Sequence, residues 1–137
     1  MSTLAPPQSD APPATVGFAP DRMARVTLAR AERQLQNTEL IAVTCPSRAA
    51  VQAVRAARTA LVAVLVSRGV HVSDGADTTL ARTTRGLGLP DDAARAFTDL
   101  AVGAVREPAQ GDASVAVAGA RVVIAAVGSL ITPALPA

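Results

Sequence analysis

Apolar residues recur at steps of three and four along most of the chain, which is the helical period. The first such run is Ala24, Leu28, Ala31 and Leu35, with Arg22, Arg25, Arg30, Glu32 and Arg33 lying mostly elsewhere on the turn. Pro20 marks a boundary and Asp21 is a good cap. A helix is therefore expected from Asp21 to Asn37-Thr38, with continuation to about Ala42 left open. A second helix is expected to start at Pro46 or Ser47 and to run to Arg68, with Gly69 as its stop. Arg48, Gln52, Arg55 and Thr59 make its polar stripe, and Val51, Val54, Leu61 and Leu65 mark the opposite side. From Ala60 to Val66 it is apolar all round, the pattern of a helix buried on more than one side.

A turn at Asp74-Gly75 leads to a short helix, roughly Ala76 to Arg85, which contributes Leu80 and is closed by Gly86 and Gly88. Pro90-Asp91-Asp92 opens a fourth helix, with two acids at the positive end of its dipole. Ala93, Ala96, Phe97, Leu100 and Ala104 form its apolar stripe, and Glu107-Pro108-Ala109-Gln110-Gly111 breaks it. Asp112 caps a last helix, about Ala113 to Ile131. Ala116, Ala120, Val123, Val127 and Leu130 face one way along it. Ser114, Ala118, Arg121, Ala125 and Gly128 make the opposite side, small and weakly polar, with Val117 and Ile124 partly extending it. No segment reads as a strand and no internal repeat is evident. The expected fold is all-α, a helical-bundle domain over residues 21–131. Residues 1–20 read as a disordered Pro- and Ala-rich arm and 132–137 as a C-terminal tail.

Composition narrows the chemistry. In 137 residues there is one His, one Cys, no Trp and no Tyr, and all 13 basic residues are Arg. The side chains that usually carry acid–base, nucleophilic or metal chemistry are nearly absent, so no catalytic residue, metal or cofactor is expected. The apolar half of the chain is mostly Ala and Val, so close helix approach has to replace bulk in the core. The net charge is only +2, which is no basic excess of the kind that marks a nucleic-acid binder. Cys45 cannot form an internal disulfide, and Met1 to Pro7 has neither a basic start nor an apolar core of a secretory signal. A cytoplasmic protein is the expectation. The best membrane candidate, Val115 to Ile131, is interrupted by Arg121 and shorter than the ~20 residues a span needs. A buried core helix is the expected reading, with no membrane partner.

Few constellations remain. Gly86-Leu87-Gly88 is fed by no strand, so it is not a dinucleotide fingerprint. Asp74 with Asp77, and Asp91 with Asp92, are explained by helix capping. Arg55 and Arg58 are three apart and can neighbour each other. Arg48, Arg55 and Arg22 or Arg25 would form a basic strip if the first two helices were antiparallel. Arg68 and His71 follow each other across Gly69. Arg55, Arg58, Arg68, His71 and Arg106 are thus the candidate anion or RNA contacts, though no aromatics interleave with them for base stacking. Ser114, Ala118, Arg121 and Ala125 are the candidate protein interface, a face that another helix backbone can approach closely.

The order of elements carries a resemblance. A first helix holds Ala31-Glu32-Arg33-Gln34-Leu35, and a long helix holds Ala56 to Leu65 and closes with Ser67-Arg68-Gly69. A short helix leads to Gly86-Leu87-Gly88-Leu89-Pro90, and an Ala/Val-rich helix beginning Asp112-Ala113 comes last. Over about residues 22–131 this resembles a HEPN domain, a small helical bundle of prokaryotic proteins. The resemblance implies an up-and-down bundle of four or five helices, often dimeric. It also implies a role in toxin–antitoxin or defence systems, either as a metal-independent RNase or as a non-catalytic partner of a nucleotidyltransferase. The RNase members share an Arg followed by a polar residue and, four to six residues from the Arg, a His. Arg106 is the nearest positional match, but Glu107 to Gly111 follows it without a His, and His71 lies in another connection. The expected function is a non-enzymatic helical module that binds itself, as a homodimer, or a partner protein. The alternatives are a divergent HEPN ribonuclease using Arg106 or Arg68 with His71, and an Arg-mediated nucleic-acid binder.

Overall fold

The structure, a computed structural model, describes residues 20–71, 76–106 and 113–131. They form five helices: α1 (Pro20–Ile41), α2 (Pro46–Arg68), α3 (Asp77–Gly86), α4 (Asp91–Arg106) and α5 (Ala113–Ile131). No strand occurs among the described residues. The N-terminal arm before Pro20, the Asp74-Gly75 turn, the Glu107–Gly111 breaker, the Asp112 cap and the tail at 132–137 lie outside them.

α1 takes the longer of its two expected lengths. Thr38 is fully buried and donates its hydroxyl to the Gln34 carbonyl at 2.7 Å, so the side chain is satisfied within the helix and gives no reason to stop. The chain turns after Ile41, whose carbonyl accepts the Cys45 N–H at 2.8 Å. Cys45 then caps α2 through its backbone alone, its carbonyl accepting the Ala49 N–H at 2.9 Å. Pro46 takes the first helical position, where a missing N–H costs nothing, and Ser47 lies inside the helix rather than capping it. At the other end Gly69 adopts φ 65°. There the Val70 N–H reaches the Leu65 carbonyl at 2.9 Å and the Gly69 N–H the Val66 carbonyl at 3.2 Å. This left-handed cap satisfies the last carbonyls of α2.

α2 packs against all four other helices. The tight connection after Ile41 makes α1 and α2 an antiparallel pair. Arg121, midway along α5, meets Glu39 near the end of α1, while Gly128, further along α5, lies beside Leu28 near the start of α1. α5 is therefore antiparallel to α1 and parallel to α2. A Cβ added at Gly119 would stand 3.2 Å from Leu100 Cγ, so glycine here lets α4 approach α5 closely. Leu100 against early α5, and the α3–α4 connection against Leu130, make α4 antiparallel to α5. The result is an up-and-down bundle.

Its core is built from small residues. Ala49, Ala53, Ala56, Ala57, Ala60 and Ala63 of α2 are all fully buried, with Leu61 and Val64 between them. Phe97 of α4 and Val123 and Val127 of α5 close over them. Alanine at successive contact positions lets helix axes approach to ~8 Å, the low end of the usual range. Two expectations of facing need correction. Val51 is exposed, because it sits three residues after Arg48 and four before Arg55 and so shares their face. Val117 and Ile124 do not extend an outer patch but are buried, at 6% and 7% exposure. α5 is pressed by α1, α2 and α4 together, so its buried arc is wider than one stripe.

Candidate interface on the last helix

The outer face of α5 is the part of the molecule whose composition and surroundings disagree most. α2 and α5 are both long and apolar enough to cross a membrane by length and composition, with mean hydropathy 1.6 and 2.0 in their most apolar stretches. In α2 56% of that stretch is buried, as befits a core helix; in α5 only 28% is. Ser114, Ala118, Arg121 and Ala125, the four residues singled out from the sequence, are all exposed. Val115, Val122 and Ser129 are exposed beside them. Val115, Ala118, Val122, Ala125 and Ser129 follow alternating steps of three and four, so they lie on one line along the helix.

Arg121 does not stand in this face as a bare charge. Its guanidinium donates to Glu39 Oε2 and so ties α5 to the end of α1. Beside this pair lies a shallow depression of about 480 Å³ lined by Glu39, Val43, Pro46, Ser114, Val117 and Arg121. Val43 in that lining is 90% exposed, and Leu40 and Val115, next in sequence to its Glu39 and Ser114, are 79% and 76% exposed. This end of the bundle therefore continues the apolar character of the α5 face.

The five candidate anion contacts are not brought together. Arg58 makes a two-pronged pair with Asp77, Nε to Oδ1 at 2.9 Å and Nη2 to Oδ2 at 3.0 Å. Asp77 therefore holds α3 to α2, and the capping role expected of it gives way to an ion pair. Asp74, its expected companion, lies outside the described residues. Arg55 is exposed mid-helix on α2. Arg68 is exposed in the last turn of α2, where a cation suits the negative end of the dipole. His71 is exposed in the connection that follows, and among the described residues no hydrogen bond or ion pair joins it to Arg68. Arg106 is the last residue of α4. The antiparallel pairing also separates the proposed strip. Arg22 and Arg25 lie at the far end of the hairpin from Arg48, ~25 Å away along the helix axis at 1.5 Å per residue.

A second concavity was not anticipated. A groove of about 330 Å³ between α3 and α4 is lined by Thr78, Arg82, Arg85, Asp91, Arg95 and Thr98. The signal for it was in the spacing. Thr78, Arg82 and Arg85 share one face of α3, and Asp91, Arg95 and Thr98 share one face of α4. Pairing these two faces requires knowing that the short helices fold against each other. No group of three or more His, Cys, Asp or Glu residues that could hold a metal occurs among the described residues.

No family model, curated protein or solved structure matches the chain. Function has to be read from the surfaces themselves. The α5 face offers shape and apolar area, and the α3–α4 groove offers positive charge.

Proposed function

We propose that this chain is a helical interaction module that works by binding, and that its first partner is a second copy of itself, joined along the outer face of α5. One observation carries the reading. The exposed positions 115, 118, 122 and 125 are symmetric about residue 120. If two α5 helices cross antiparallel on a two-fold axis at that level, Val115 meets the partner's Ala125 and Ala118 meets the partner's Val122. A surface with this spacing is complementary to itself, as a two-fold interface requires. An alanine in each pair permits close backbone approach, and Glu39 neutralises the charge of Arg121 that burial would otherwise strand.

α5 has 19 residues and is ~28 Å long at 1.5 Å per residue. One such face gives less than the ~800 Å² per partner of a standard interface. The dimer is therefore a weak one, of micromolar order, and the apolar corner at Leu40 and Val43 adds to it. The HEPN resemblance supports the same reading, since those bundles often dimerise and their non-catalytic members act beside a nucleotidyltransferase. A cytoplasmic, prokaryotic setting belongs to that reading.

Light scattering and sedimentation across a concentration series test it. Mass should rise toward twice the monomer, Val122→Glu should hold it at one, and Gln36→Glu on the outside of α1 should change nothing. A chain that stays monomeric at the highest concentrations ends the proposal. Co-sedimentation with anionic lipid vesicles that is lost in Val122→Glu would instead assign the face to a lipid surface.

A further inference from the structure

We infer that the groove between α3 and α4 binds a compact phosphoryl dianion, either free phosphate or a small phosphate monoester. Three guanidinium groups, those of Arg82, Arg85 and Arg95, line this groove against one carboxylate, Asp91. Asp91 approaches Arg85 only to 3.6 Å, and the two side chains are 81% and 60% exposed, so the pair is loose and readily exchanged. Arg82 and Arg95 have no ion pair or hydrogen bond to any described side chain. Arg58 and Arg121, by contrast, are each tied to a carboxylate that links two helices. Arg82 and Arg95 thus hold like charges near one concavity with no structural return, an arrangement that an anion would relieve. Guanidinium is the group best shaped to hold phosphate, through paired N–H donors. The hydroxyl of Thr78 stands at the rim as a further polar partner, whereas that of Thr98 already donates to the Ala94 carbonyl at 3.0 Å.

The surroundings favour a compact ligand over a polymer. Asp92 and Asp99, both exposed, neighbour the lining on α4, so the positive region is a spot and not a stripe. An extended polyanion would run its next phosphates across those carboxylates. None of the lining residues is aromatic, so nothing there would stack a base. The volume, about 330 Å³, sits at the lower end of small-molecule clefts. Asp91 then acts as an internal placeholder, occupying Arg85 until a phosphoryl group with more charge displaces it.

Calorimetric titration of the full chain tests this at neutral pH and fixed ionic strength, with inorganic phosphate in one arm and ribose 5-phosphate in the other. One-site saturation is expected, and the arm that binds more tightly identifies the source. R82Q/R95Q should weaken binding by ~10-fold or more, the effect of losing one to two charge-assisted contacts. D91N should tighten binding, because it removes the internal competitor. R22Q/R25Q, on the outside of α1, should leave it unchanged. Absence of saturable binding in both arms overturns the inference. So does an equal loss in R22Q/R25Q, weaker binding in D91N, or a short RNA that binds more tightly than either probe and survives R82Q/R95Q.

Discussion

Arg58 shows how far a single residue can be read from its neighbours in sequence. Its spacing from Arg55 suggested a solvated or anion-holding pair, yet its partner, Asp77, lies on the next helix. No local rule reaches across that connection. With the two side chains 42% and 30% exposed, Asp77→Asn and Arg58→Met should each cost roughly 1 kcal/mol. A double-mutant cycle in urea should recover most of that as coupling. Ala60 and Ala63 of α2 were legible as buried, since that helix is apolar all round from Ala60 to Val66, whereas the burial of Ala53, Ala56 and Ala57 emerges only from the packing, which sets their tolerance. Ala57 and Ala60 are fully buried, so Ala57→Leu or Ala60→Leu should destabilise by ~1–3 kcal/mol in the same melts. Gln34 carries the opposite fault. Its Oε1 is buried without a hydrogen-bond partner, so Gln34→Leu should raise stability by about 1 kcal/mol.

At the scale of elements, the helices that carry their own punctuation were the most legible. Pro46 and Gly69 bracket α2 within a residue of its observed ends, because each residue type has a backbone reason to be there. Gly69→Ala should cost about 1 kcal/mol, read as a lowered melting temperature, since φ 65° disfavours a side chain. What the pattern did not reveal was the width of the buried arc on α5. Periodicity identifies a stripe, but Val117 and Ile124 are covered because three helices press on α5. The number of neighbours is a property of assembly and not of the helix. Adjacent residues then make a sharp contrast. Val122 is exposed and Val123 fully buried. Val122→Glu should keep its circular dichroism and lose self-association, whereas Val123→Glu should lose the fold.

Over the whole molecule, the all-α class followed from helical spacing in every segment, and the up-and-down order follows from short connections between long helices. The candidate site was only half legible. Ser114, Ala118, Arg121 and Ala125 could be named because one helix holds them all, and they are exposed together. The arginine groove joins two helices, so its residues could not be grouped before the fold was known. The helices are not equally embedded. α1, α2 and α5 each pack on the other two, while α3 packs only on α2 and α4 and supplies three residues to the core, Leu80, Ala81 and Thr84. Protection of backbone amides against deuterium should follow that inequality, with α2 slowest and α3 the first helix to exchange. An occupant bridging α3 to α4 would hold shut the part of the bundle most inclined to open, so its arrival would register as slower exchange along α3 before any change in shape.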